Sequence, residues 1–397
     1  MDIKIIKSVF KNLQGYENNM LSIDFLASKR VYEFEYDENV VTKLINNIYK
    51  LNSISLAGIN ASGKTTTLNI ISDNLKIFIQ NQSLNYQMIF SNYFNEKLEI
   101  ENYFYHDGFV YKLISFIQKD DRNQLLIFDE EFLYEKKINS NIAKKDFLLF
   151  DGIKPKMVRS TLENNFLKPE DSVFSSILNT MDTSRKKIIK DMGHQTNFNY
   201  LSIYSEQMPI SFVNYLDSSI EEFCILNQEM GVDKVPKFKI KFKGHDKEII
   251  SDFIELEKYL SSGTIKGINI LMNMMLVLNS GGYLLIDEIE NHLNKTIVIN
   301  IIDMFTSLLN KNGATLIFTT HYSEILDSVD RSDSIYVLNK SENISLNKFS
   351  MLAYGKDRSD KKKSDLFLNG GEFKTAPSYS GYRQLIKDMK RFIEEAD

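Results

Sequence analysis

One octapeptide, Gly58-Ile-Asn60-Ala61-Ser62-Gly63-Lys64-Thr65, narrows the folds open to this chain more than any other feature. It fits G-x-x-x-x-G-K-[ST] at every position. A short apolar run, Ser53–Ala57, precedes it, and helical spacing over 64–82 follows. Each part of the motif has a physical task. The glycines let the main chain wrap closely around phosphate oxygens, with the amides of Asn60, Ala61, Ser62 and Gly63 turned inward and the positive end of the next helix behind them. Lys64 brings a point charge to the β- and γ-phosphates, and the Thr65 hydroxyl suits Mg²⁺, with Thr66 on the same turn. Strand, phosphate loop and helix in this order predict a nucleotide site for ATP and Mg²⁺ in an α/β fold.

Such a loop needs an acid at a strand end to hold the metal. Two runs qualify, LLIFDE at 125–130 and YLLIDE at 283–288. The first lies in an aromatic, antiparallel region and leads into another strand-like stretch, so Asp129 and Glu130 read as solvated carboxylates. The second is followed by a helical pattern, 295–309, and by a strand, 315–319, that ends in Thr320-His321. Asp287 is therefore expected to bind Mg²⁺, directly or through water. Glu288 is expected to orient and deprotonate the attacking water, and His321 to contact the γ-phosphate. Lys64, Glu288 and His321 form the expected catalytic set.

Composition removes whole classes. The 397 residues are 43% hydrophobic and 25% charged, ordinary globular values. No apolar run approaches the roughly 18 residues of a membrane span, and MDIKIIKSVF lacks the features of a signal peptide, so a cytoplasmic protein is expected. A single cysteine, Cys224, excludes internal disulfides and a multi-cysteine zinc site. A net charge of −5 gives no global attraction to nucleic acid, which leaves only local basic clusters at 185–190, 237–247 and 361–363. Along the chain, strands are expected at 3–9, 21–25 and 31–36 and a helix at 40–49. Alternating aromatics from 97 to 118 turn at Asp107-Gly108, a hairpin signal. Helical spacing at Val173, Ile177, Leu178 and Met181, then Ile188, Ile189 and Met192, predicts helices across 158–230. A basic-faced strand is expected at 236–246, a Met-rich core helix at 268–278, and a last helix at 382–395.

The small-residue loop Leu260-Ser261-Ser262-Gly263-Thr264 opens the long helical pattern that leads to Asp287. Alone it is an ordinary N-cap. Together with Asp287-Glu288 and Thr320-His321, it resembles the signature of the ATP-binding-cassette class, L-S-G-G-Q. Ser262 stands for the first glycine and Thr264 for the glutamine, as in the branch related to SMC and Old-family ATPases. The resemblance implies that Ser261, Ser262 and Gly263 act in trans, capping the γ-phosphate of ATP held by the partner's Lys64, so that ATP joins two copies with two-fold symmetry. The wide separation of Lys64 from Ser261 resembles SMC-like heads, whose arm emerges there. This arm is short and lacks sustained heptads.

GINASGKTTTLNII, EEFLYEKK, YLSSGT, LLIDEIENHLN and FTTHYSEIL together resemble the Old-like AAA ATPases of prokaryotic antiphage defence, the ATPase components of PARIS and Septu among them. The likeness spans most of residues 1–340. It implies an ABC-type P-loop NTPase head, α/β in class. The head's N-terminal half, with the antiparallel β subdomain, occupies 1–157. A short helical insertion follows at 158–235, the C-terminal half at 236–345, and an extension suited to docking a partner at 346–397. It further implies that Glu290, Asn291 and Leu293 form a loop crossing between subunits, with His292 a surface residue. A metal-contacting glutamine is also implied, for which Gln118 is the candidate. The clustered acids of a Toprim nuclease and the histidines of an HNH nuclease are both missing from the pattern, so any effector is a separate protein. Two readings follow: an ATP-driven dimeric switch over that effector, or a RecF- or SMC-like ATPase that clamps DNA.

Overall fold

In the computed structural model, residues 3–86, 92–120, 124–162, 167–180, 187–193, 208–226, 237–252, 255–353, 362–369 and 379–394 are described. The strand before the phosphate loop lies inside a six-stranded sheet. Its order is Ile189–Asp191, Tyr283–Ile286, Thr315–Thr320, Ser53–Ala57, Ile335–Lys340 and Ile344–Lys348. The first five run parallel and the sixth returns antiparallel. Parallel strands are covered on both faces, and the side chains here alternate between two cores. Ile54, Leu56, Leu285 and Ile317 face one cluster with the helix Lys64–Gln80. Leu284, Ile286, Leu316 and Phe318 face the other, packed by the helices Ser262–Ser280 and Lys295–Phe305.

A second, antiparallel sheet covers the outer side of Lys64–Gln80. Its strands follow the order Met20–Asp24, Lys4–Lys11, Lys97–His106, Phe109–Lys119, Leu126–Lys137 and Met157–Val158. Ile5, Phe10, Leu98, Phe104 and Leu113 join Leu68, Ile71, Leu75 and Phe78 of that helix in one apolar cluster. The upstream acidic run is part of a single long strand, and exposed Asp129 pairs with Lys97 at 2.6 Å. Its neighbour Glu131 is fully buried and satisfied. It accepts from Ser115 and Ser172 hydroxyls at 2.9 and 2.6 Å, the Val173 amide at 2.8 Å and Arg159 at 2.9 Å.

Three expectations for secondary structure do not hold, each for a tertiary reason. Residues 31–36 form no strand; Glu33–Asp37 is a short helix. Arg331 reaches into it, donating to Glu35 at 2.5 Å and to both Asp333 oxygens at 2.9 Å. Residues 40–49 form no helix but a hairpin, Val41–Ile45 with Ile48–Leu51, turning at left-handed Asn46. The apolar spacing of Val41, Leu44 and Ile48 fits a helix, yet Asn46-Asn47 supplies turn chemistry that ends it. Ile188, Ile189 and Met192 are not helical either: Ile189–Asp191 is the edge strand of the parallel sheet. Between the phosphate loop and the signature, helices occur at Phe174–Thr180 and Ile210–Leu216, while Met181 lies outside the described residues.

The basic-faced strand Lys237–Phe242 is the middle of a three-stranded antiparallel sheet with Ile220–Leu226 and Glu248–Asp252. Its lysines meet cross-strand acids: Lys239 lies 2.9 Å from Glu222 and 3.1 Å from Glu248, and Lys241 lies 3.0 Å from Glu221. The last helix, Tyr379–Glu394, leaves Tyr382, Leu385, Met389 and Phe392 exposed.

The Arg331 cluster yields a test. Burial by itself would raise the Asp333 carboxyl, but the hydrogen bond and charge of Arg331 outweigh it and hold the group below the usual carboxylate range. A depressed carboxylate stabilises the fold above its unfolded pKa, and that share is lost as pH falls through the folded value. Arg331→Ala, which strands two buried acids, is expected to cost about 3–5 kcal/mol in urea unfolding at neutral pH. Asp333→Asn is expected to flatten the acid limb of the stability curve; an unchanged limb would show that Asp333 does not titrate with folding.

Candidate nucleotide site

The phosphate loop is tied to its neighbours at both ends. The Gly58 amide donates to Thr320 O at 3.4 Å, and Tyr16, in the connection between the strands Lys4–Lys11 and Met20–Asp24, shares a 2.8 Å hydrogen bond with Thr67. Gly63 caps the helix with φ +92°, a left-handed value that side chains resist, and a Cβ there would lie 2.4 Å from Ile344. A Cβ on Gly58 would sit 2.5 Å from Leu338 O. Asn60, Ala61 and Thr65 face the open side, Thr66 is half-buried, and the Ser62 hydroxyl is buried without a partner. Lys64 Nζ spans the loop, donating to Gly58 O at 2.9 Å and Ile59 O at 3.0 Å. Burial lowers the Lys64 pKa from its ordinary value, against the opposing charges of Glu288, Glu290 and Asp287.

Sheet order brings the acids to this loop. The strand Thr315–Thr320 runs between the Ser53–Ala57 and Tyr283–Ile286 strands, with Thr319 beside Leu56 and Phe318 beside Ile286. Asp287 is therefore held from two sides. Thr65 Oγ1 donates to its Oδ2 at 2.8 Å, and Thr319 Oγ1 donates to its Oδ1 at 2.6 Å. The same Thr319 oxygen accepts the Glu288 amide at 2.7 Å. Glu288 adopts φ +44°, a left-handed conformation costing roughly 1–3 kcal/mol for a residue with a side chain. With the strand ended at Ile286, this left-handed backbone takes the chain into the turn that follows.

These groups fit Mg²⁺ and a phosphate chain. A hydroxyl and a carboxylate at hydrogen-bond distance form a hard-oxygen pair, which suits a cation that keeps most of its other ligands as water and phosphate. The orphaned Ser62 hydroxyl and the glycine-lined cradle suit phosphate oxygens. Among the described residues no cluster of three or more His, Cys, Asp or Glu offers a rival metal site.

The remaining expected residues fall into two groups. His321 follows the central strand and joins the site. Its Nδ1 and its own amide both lie 2.8 Å from Glu290 Oε1. Glu290, implied by resemblance to cross to a second subunit, turns inward and is 6% exposed, whereas Asn291 and Leu293 remain half-exposed. The signature residues stand on the other side of this turn. Ser261 caps the helix Ser262–Ser280, its hydroxyl accepting from Thr264 N at 3.0 Å. Gly263 is required by contact: a Cβ there would lie 2.4 Å from His292 O. His292 Nδ1 is 3.3 Å from the Ser262 hydroxyl, which gives this histidine a place on the signature loop. Gln118 lies on the antiparallel sheet with its amide 3.3 Å from Asp129 Oδ1, so the structure brings it to that carboxylate and not to the Thr65–Asp287 pair.

Two residues that shape this geometry escape the motif reading. Thr319 is the hub of the Asp287–Glu288 geometry, and its only sequence signal is a hydroxyl at the penultimate position of a strand. Lys266 donates to Glu288 O at 3.1 Å and Asn291 O at 2.7 Å, joining the signature helix to the acidic turn. Burial pulls its ammonium pKa down to about 8, with Glu290, Glu288 and Asp287 opposing. Within an apolar helix pattern, a lone lysine gave no sign of this role.

No curated protein matches the sequence. Among solved structures the chain is similar to the SmcHead bound to the C-winged helix domain of ScpA, at 14% identity and TM-score 0.46, with 87% of this chain and 97% of that one covered. It is also similar to the SMC head domain from Thermotoga maritima, at 11% identity and TM-score 0.42, covering 87% and 98%. A third is the Smc head domain with coiled coil and joint from Pyrococcus yayanosii, at 10% identity and TM-score 0.43, covering 90% and 100%. A family profile described as "AAA domain, putative AbiEii toxin, Type IV TA system" matches residues 53–327. That match begins at the strand feeding the phosphate loop, takes in Asp287, Glu288 and His321, and covers well over half of the sequence: the chain belongs to this AAA-domain family.

Proposed function

We propose that the chain is an ATPase of SMC- and Old-like type that pairs head-to-tail around ATP and regulates a separate effector in antiphage defence. One observation carries the ATPase reading: Asp287 is shared between Thr65 of the phosphate loop and Thr319, while Glu288 follows it directly with its amide on the same Thr319 hydroxyl. Bound Mg²⁺ supplies charge neutralisation on the phosphate oxygens. Thr65 and Asp287 are the groups to hold it. Lys64 and the loop amides bind the phosphates, and Glu288 orients the attacking water and accepts its proton. His321, whose Nδ1 lies on Glu290 at 2.8 Å, has its second ring nitrogen left to contact the γ-phosphate.

Support for pairing comes from the signature. Ser261 and Gly263 stand at the start of a 19-residue helix, and none of the described hydrogen bonds ties residues 261–263 to 58–66 of the same chain. Support for a protein partner comes from the surface. The last helix exposes one apolar stripe through Tyr382, Leu385, Met389 and Phe392, bordered by Arg383 and Lys390, which suits an apolar groove with an acidic rim. The family description names a type IV toxin–antitoxin system. The basic clusters favour this over a DNA clamp: Lys239 and Lys241 are matched by acids, and Lys187 is buried on Gly281 O at 2.6 Å. Residues 185, 186 and 361 lie outside the described residues. Among the described residues no helix is long and apolar enough to cross a membrane.

Lys64→Ala is expected to abolish ATP binding in calorimetry, and unchanged affinity would overturn the role of the loop. Glu288→Gln is expected to slow hydrolysis by roughly 10²–10⁴-fold. It should also accumulate an ATP-loaded dimer in light scattering; hydrolysis at the wild-type rate would remove Glu288 as the base. Ser261→Arg is expected to keep ATP binding per protomer while losing both the ATP-dependent dimer and turnover. Normal turnover by that variant would place the signature outside the reaction.

A further inference from the structure

We infer that Glu290 is the positioning residue for His321 within the same chain, a role that rests on the ATPase reading above. The carboxylate sits in the turn that follows Asp287-Glu288, and this turn is fixed from several directions. Ile289 N donates to Thr319 O at 3.1 Å, Asn291 N to Glu288 O at 2.9 Å, and Leu293 N to Glu290 O at 3.1 Å. Lys266 closes it from the signature helix through the carbonyls of Glu288 and Asn291, which flank Glu290 in sequence. The side chain then points into the protein and takes two hydrogen bonds from one residue. The His321 amide and the His321 Nδ1–H both meet Oε1 at 2.8 Å.

That double contact has a specific consequence. The amide bond fixes where the residue begins and the ring bond fixes its rotation, so the imidazole has one orientation. Nδ1 carries the proton given to the carboxylate, and Nε2, across the ring, is the atom left for the reaction. A buried carboxylate behind a functional histidine sets its tautomer and aim in this way. Tyr322 packs edge-on against the ring at 4.5 Å, while the ring keeps about a third of its surface exposed, with side-chain exposure of 32%. Glu290 Oε2 is buried and has no partner among the described atoms, so the carboxylate is not absorbed by another ion pair. Its charge opposes the lowering of the pKa by burial at both Lys64 and Lys266.

The test uses the full chain with Mg²⁺ and ATP. Glu290→Ala is expected to lower kcat by about 10–100-fold with the KM for ATP little changed, the range for losing a carboxylate behind a functional histidine. Glu290→Gln, which retains the Oε1 acceptor, is expected to recover most of that loss. His321→Ala should lower kcat by a similar factor, and Glu290→Ala added to it should cost nothing further. Nitrogen NMR of the His321 ring reads the contact itself: the proton is expected on Nδ1 in the native chain and in Glu290→Gln, and redistributed in Glu290→Ala. Additive losses, or an Nδ1 proton that survives Glu290→Ala, would overturn the inference. Loss of ATP binding in Glu290→Ala would assign the residue to structure alone. Should that variant fail to fold, the native and Glu290→Gln spectra still decide, because a proton on Nε2 in the native chain excludes the contact. If His321→Ala turns over normally while the Nδ1 proton is present, the assignment of His321 to the reaction fails and the contact stands.

Discussion

The organisation of the site depends on one shared carboxylate. Asp287 accepts from Thr65 on one oxygen and from Thr319 on the other, so it joins the phosphate loop to the strand that separates it from the acidic turn. Remove it and the three elements lose their common side chain. The left-handed backbone at Glu288 is tolerable for the same reason: Thr319 takes its amide, and the following residue is tied to the main chain of the same strand. A turn of this kind stores strain that the parallel sheet, buried on both faces, is stiff enough to hold.

Around that carboxylate, charges are arranged in opposition. Asp287, Glu288 and Glu290 converge on Lys64 and Lys266, and burial weakens both ammonium groups while the acids counter it. Lys266 belongs to the signature helix and Lys64 to the phosphate loop, so two elements remote in sequence answer to the same three acids. Under the dimer proposed above, a helix that caps the partner's phosphates would be seated by the acids of its own chain.

Sequence made the centre legible and the periphery less so. The phosphate loop, the Asp287-Glu288 pair, the strand ending at His321 and their helices follow from motif chemistry and apolar runs, and the structure joins them. The acidic run at Asp129 is separable from Asp287-Glu288 because alternating aromatics mark an antiparallel sheet. What sequence could not show depends on distant contacts. The helix at Glu33–Asp37 is held by Arg331, and the strand Ile189–Asp191 is defined by its parallel neighbour. Thr319 and Lys266 carry ordinary residue types whose role exists only once strands are ordered. Glu290 adds a contact that the resemblance does not supply, since within one chain it lies buried against His321.

The edge strand Ile189–Asp191 gives the insertion mechanical weight. It lies in register beside Tyr283–Leu285, immediately before Asp287, and Asp191 is clamped to the phosphate-loop helix by Ser72 and by Lys76 at 2.6 Å. A segment stitched into both halves of the head is not a passive appendage. The segment bridges the two elements that meet at Asp287, so displacing it would unpair one edge of the parallel sheet and free one end of the clamp on the helix Lys64–Gln80.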